Sequence, residues 1–150
     1  MKACASLIEQ NELVQVGGLP LSTAEDGSLR VLLLTSPDTG RWVIPKGWPM
    51  KNRKPSDAAA IEALEEAGLV GRPSESPIGS YVYFKRRRGQ FDPCRVDVYL
   101  LEARKQLKTW REKCQRELRW FTLDEAASVV DEPELAALLV SLKATTLPQA

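Results

Sequence analysis

Apolar residues in this chain fall first into short β-type runs, then at helical spacing, then into both patterns again. Residues 13–21 (LVQVGGLPL) and 29–35 (LRVLLLT) are apolar and separated by the turn-rich TAEDGS, which predicts two neighbouring strands in a hairpin or meander. After the turn Pro37-Asp38-Thr39-Gly40, residues 41–44 supply a short strand ended by Pro45, and a loop rich in Gly, Pro and Lys runs to about Pro55. From Ser56 the pattern turns helical: Ser56 is a candidate cap, Asp57 complements the positive helix end, the alanines of DAAAIEALEEAG favour the backbone, and Gly68 is the stop. At about 100° per residue, Ala60, Ile61, Leu64 and Ala67 share one side of this helix, and Glu62, Glu65 and Glu66 crowd another. Further strands are predicted near residues 78–84, 95–101 and 118–122, and helices over 124–130 and 133–143 with a break at Asp131-Glu132-Pro133. No internal repeat is visible, and the tail TTLPQA reads as frayed.

A chain of 150 residues, 43% hydrophobic and 27% charged, has the size and composition of one domain with one packed core, here about residues 13–143. Its formal charge of +1 argues against a nucleic-acid coat or a membrane-surface protein, so electrostatic recognition must be local. Histidine is absent, which excludes Ser-His-Asp, Cys-His and HExxH chemistry and leaves carboxylates, lysine or metal ions. Cys4, Cys94 and Cys114 lack any metal-ligand spacing and read as passive residues of a reducing cytosol. No apolar stretch approaches the roughly 20 residues a membrane helix needs, and the opening MKACASLIEQNE lacks a signal-type core, so the expected location is cytoplasmic with no membrane partner.

Glutamates at i, i+3 and i+4 repel one another unless something positive lies between them. Oxygen ligands of this kind suit Mg²⁺ or Mn²⁺, and Mg²⁺ commonly takes substrate phosphates as further ligands. An EALEE run taken alone is more often a solvated face. What distinguishes this one is its position after a short strand and a Gly/Pro loop, closing on Glu65-Glu66-Ala67-Gly68-Leu69.

Gly47, Glu62, Glu65, Glu66, Gly68 and Leu69 resemble the Nudix box, G-x5-E-x7-R-E-U-x-E-E-x-G-U with U bulky and apolar. Ala63 stands at the first U. The resemblance extends through RWVIPKGWPMKNRKPSDAAAIEALEEAG, YVYFKRRR and ELRWFTLDEAASVV, over roughly residues 13–140, and is to the diphosphoinositol polyphosphate phosphohydrolase branch. It implies a mixed β-sheet between helices, an α/β/α sandwich of the α+β class. It also implies hydrolysis of a phosphoanhydride bond in a highly phosphorylated small molecule, a diphosphoinositol polyphosphate or a dinucleoside polyphosphate, with Mg²⁺ or Mn²⁺ as cofactor. Glu62, Glu65, Glu66 and the backbone at Lys46/Gly47 would hold metal, Glu62 and Glu66 are the candidates for the catalytic base, and Glu112 or Glu117 would add a later carboxylate.

Two box positions depart from the family pattern: Arg53 replaces the first glutamate and Ile61 replaces the arginine that helps to orient the catalytic carboxylates. Either the enzyme is slowed, or another cation has taken the role, or the chain is a binding protein that has lost turnover. Arg41, Lys46, Lys51, Arg53, Lys85 and Arg86 are the candidate phosphate-binding cations, against the plainer reading of Lys85–Arg88 as a charged hairpin tip. RNA is the weaker partner for this tetrad because no RNP or KH motif accompanies it. Trp42, Trp120 and Phe121 are expected in the core, while Trp48 serves equally as a lip of the substrate mouth or a packing plug. Monomer and homodimer both remain open.

Overall fold

A computed structural model describes residues 12–145; Cys4 and the last five residues of the expected frayed tail lie outside them. The elements in chain order are β1 (Leu13–Thr23), β2 (Leu29–Thr35), β3 (Trp42–Val43), β4 (Lys46–Gly47), α1 (Pro55–Ala67), β5 (Leu69–Pro73), β6 (Gly79–Arg87), β7 (Gln90–Gln106), β8 (Leu118–Thr122), α2 (Leu123–Val129) and α3 (Pro133–Ser141), with a final 3-10 turn over Leu142–Ala144. The eight strands form one mixed sheet, β1 and β7 pairing in parallel from Leu13↔Cys94 to Leu21↔Glu102 and the other pairs antiparallel.

Consecutive strand residues point to opposite faces, so a strand with both faces covered is apolar throughout. In β2, Val31 and Leu33 join the core beneath α2 and α3, whereas Leu32 and Leu34 pack with Ala67 and Leu69 at the end of α1. The sheet is thus sandwiched, with α1 on one face and α2 and α3 on the other. Gly18 makes the α1 side possible, because a Cβ there would stand 2.4 Å from Leu101 Cδ1 and 3.1 Å from the carbonyl of Ala59. Small residues on both surfaces let helix and sheet approach closely.

Tertiary contact revises several sequence expectations. The buried residues of α1 are Ser56, Ala58, Ala59, Ala63, Glu66 and Ala67, and Leu64 is exposed, so the helix is rotated from the face expected through Ala60, Ile61 and Leu64. Ala59, Ala63 and Ala67 are fully buried. Ser56 does not cap the helix; Lys54 is the N-cap residue and Pro55 opens the first turn, while Gly68 ends it at φ +64° as expected. The expected loop after Pro45 contains β4, and β5 follows α1 directly, both too short to show a period of their own. Thr122 and Glu125 form a reciprocal capping box at α2. Trp120 is 39% exposed instead of buried, whereas Trp42 meets Phe121 edge-on at 5.0 Å.

Candidate active site

The site is assembled where β4, α1 and the segment after β7 meet. Pairing of Val16 with Gly47 and of Gly17 with Lys46 fixes the backbone of β4 beside β1. Against it lies the carboxylate of Glu62, and a Cβ placed on Gly47 would stand 2.2 Å from Glu62 Oε1. Glycine at 47 is therefore what lets this side chain reach the backbone.

One turn further along α1, Glu66 is only 5% exposed although it sits among alanines on the buried stripe. Its carboxyl and that of Glu62, one turn earlier on the helix, are near enough for a hydrogen bond between them. Burial, then that hydrogen bond, pushes Glu66 up to about 9, and burial raises Glu62 as well.

The segment after β7 folds back over the end of α1. Gln106 Nε2 donates to the carbonyls of Ala67 and Gly68 at 3.0 and 3.1 Å, satisfying groups the helix leaves unpaired. Trp110 covers Gly68, and the Glu112 N–H donates to the Glu65 carbonyl at 3.1 Å. This brings Arg116 within 3.6 Å of Glu66 and 3.3 Å of Glu112 with its side chain 14% exposed. Glu65 turns away to Arg111 at 3.5 Å. Of the two later carboxylates considered from sequence, Glu112 therefore lies at the site, whereas Glu117 pairs with Arg119 at the surface. Arg116 was not foreseen because its two partners are distant in the chain or unremarkable within it.

The expected cations separate into groups. Lys46 points its ammonium at the ring of Tyr83, 4.9 Å from the centroid, and burial lowers its pKa while Glu66 opposes the shift. Tyr83 in turn donates to Gln15 Oε1 at 2.6 Å. Lys85 and Arg87 approach the ring of Trp48 at 5.6 and 5.8 Å. Arg86 lies between them in β6 and projects to the opposite face, paired across the strands with exposed Phe91. Arg41 is engaged by Asp131 at 3.0 Å at the surface, and Lys51 and Arg53 are exposed in the turn before α1 with no ion pair among the described residues. Glu132, which read only as part of a helix break, is half-buried, and burial raises its pKa with Lys46 partly opposing.

The donor chemistry fits a hard divalent cation: two carboxylates forced together and a side-chain-free backbone at Gly47. Among the described residues no three acidic side chains already converge at metal-ligand spacing, and Glu65 pairs with Arg111. Cys94 is buried and Cys114 exposed, and both are free. No helix among the described residues is long and apolar enough to cross a membrane.

The NUDIX domain family model matches residues 14–141. The chain is 32% identical over 108 residues to Nudix hydrolase 13, mitochondrial, of Arabidopsis thaliana, covering 67% of this chain and 53% of the plant protein. It is 30% identical over 126 residues to diphosphoinositol polyphosphate phosphohydrolase 3-beta of Bos taurus, covering 81% and 72%. The chain thus spans about half the length of the plant relatives it matches first. In fold it is similar to the C. elegans Ap4A hydrolase binary complex, with TM-score 0.63 and 21% identity over 88% of this chain and 96% of that one. A NUDIX hydrolase from Nitrosomonas europaea gives TM-score 0.64 and 18% identity, over 87% and 86%. With the domain matched almost end to end and the glycine strand set against the glutamate helix, this chain belongs to the Nudix family.

Proposed function

We propose that this chain hydrolyses a phosphoanhydride bond in a highly phosphorylated small molecule, using a divalent metal ion, Mg²⁺ or Mn²⁺, held by Glu62, Glu66 and the Gly47 backbone, with Glu65 joining them. The observation that carries this reading is a buried glutamate, Glu66, in contact with a second carboxylate that rests on a glycine strand. Two carboxylates one turn apart on a helix repel each other when both are charged, and a divalent cation held between them would relieve that repulsion.

When bound, such an ion neutralises phosphate charge and acidifies a coordinated water. The residues of the chain supply the rest. Glu62 and Glu66 are the groups placed to take the proton from the attacking water, and Lys46, held beside them over Tyr83, offers a compact charge to a phosphate oxygen. Lys85 and Arg87 present two more cations beside Trp48, which also offers an aromatic face. Arg41, Lys51 and Arg53 on the rim add attraction at longer range. Arg86 faces away and contributes least.

Diphosphoinositol polyphosphates and dinucleoside polyphosphates are the two substrate classes of this reading; a relative is named for the first, and a protein of similar fold is named an Ap4A hydrolase. Location in the cytoplasm belongs to the same reading, although several plant relatives are named as mitochondrial or chloroplastic. Purified chain incubated with Mg²⁺ or Mn²⁺ and members of both classes is expected to release products that chelator abolishes. Absence of turnover on every member, with tight metal-dependent binding retained, would instead favour a binding protein impaired through Ile61.

A further inference from the structure

We infer that Arg116, on the segment between β7 and β8, is the positioning residue for the carboxylates of α1, in the role left vacant by Ile61. This rests on the proposed hydrolase reading and concerns a residue outside the glutamate helix.

Glu62 and Glu66 stand one turn apart on α1, at i and i+4, where two like charges repel, so orienting them with both charged requires a cation that is itself held in place. Residue 61, one position before the first of them, is an isoleucine with no donor to offer. Arg116 reaches Glu66 from the segment after β7. Its Nη2 lies 3.6 Å from Glu66 Oε1, and its Nη2 and Nε lie 3.3 and 3.4 Å from Glu112 Oε1, so the guanidinium spans one carboxylate of the helix and one of the loop. The side chain is 14% exposed, the most enclosed cation among the ion pairs of the described residues.

Its footing is built. Trp110 covers Gly68, the Glu112 N–H binds the Glu65 carbonyl, and the Leu107 N–H binds the Gly68 carbonyl at 2.8 Å, so the loop is fastened to the last turn of the helix whose glutamates it serves. Lys46, the other cation near Glu66, is turned toward the ring of Tyr83 and lacks a planar fork. A guanidinium held between Glu66 and Glu112 favours one orientation of the Glu66 carboxylate.

The test uses the full chain, Mn²⁺ alone as binding probe by calorimetry, and diadenosine tetraphosphate and a diphosphoinositol polyphosphate as turnover probes. Arg116→Ala is expected to weaken Mn²⁺ binding about tenfold and to lower kcat about 100-fold with KM changed far less. Adding Ile61→Arg to Arg116→Ala is expected to recover at least about tenfold of both, since it returns a cation from the helix side. Arg116→Lys, which keeps the charge without the fork, should fall between. Unchanged Mn²⁺ affinity and kcat in Arg116→Ala, or a loss that Ile61→Arg does not repair, would overturn the assignment, and so would unfolding of both Arg116 variants, since that marks a strut of the loop. A wild-type chain that neither binds Mn²⁺ nor turns over either probe overturns the hydrolase reading itself, which separates the two failures.

Discussion

The carboxylate of Glu62 occupies the space in which a side chain on Gly47 would begin, 2.2 Å from the position of its Cβ. The atoms that must give way in Gly47→Ala are the far end of a flexible side chain, so the fold is expected to lose less than about 1 kcal/mol. The carboxylate itself is displaced. Mn²⁺ affinity measured by calorimetry should fall about tenfold or more, with a melting temperature close to wild type. A large drop in melting temperature with unchanged Mn²⁺ affinity would contradict the placement.

Glu66 titrates near 9 in the folded, metal-free chain against about 4.5 in an exposed glutamate. The folded state therefore holds a proton that the unfolded state has lost between those values, and stability in chelator is expected to fall as pH rises from about 4.5 to about 9. Glu66→Gln removes this slope and should raise stability at pH 8 by on the order of 1 kcal/mol while cutting hydrolysis by orders of magnitude. Chemical denaturation in chelator at pH 5 and pH 8 checks the sign. A wild-type chain more stable at pH 8 than at pH 5 would refute it.

Strand alternation in β6 separates neighbours that composition treats alike. Lys85 and Arg87 approach Trp48, and Arg86 projects from the other face. Alanine at 85 or 87 is expected to raise KM for a polyphosphate about tenfold, more steeply at low ionic strength, and alanine at 86 to raise it less than about threefold. Steady-state kinetics at two salt concentrations distinguish the positions.

Gly68 carries φ +64° at the end of α1 with Trp110 2.2 Å from where a Cβ would be. Gly68→Ala must bear the left-handed backbone and expel the indole, so a loss of about 1–3 kcal/mol is expected in thermal or chemical unfolding. The loop that delivers Arg116 should loosen with it, read as faster amide exchange over residues 107–117. Unaltered exchange there would show that the loop is held independently of Trp110.

Local periodicity and turn chemistry, together with one spaced motif, were enough to place most strands, the glutamate helix with its Gly68 stop and the break before Pro133. Those features depend on contacts within a few residues, which is the range a linear pattern encodes. Gly47 and Glu62 were also legible, since their spacing carries the resemblance.

The rest depended on what approaches from elsewhere. Ala59, Ala63 and Ala67, not Ile61 and Leu64, became the buried face, and at Ala59 the sheet comes so close that a Cβ on Gly18 would meet Leu101 and the Ala59 carbonyl. Lys46–Gly47 became a strand because β1 had free backbone groups beside it, and Arg116 found Glu66 because Trp110 and the Glu112 amide fasten a loop to the helix end. A carboxylate run in the sequence specifies charges and their spacing. Which of them is buried and which cation answers it is settled by packing between segments distant in the chain, where burial makes each of those contacts strong.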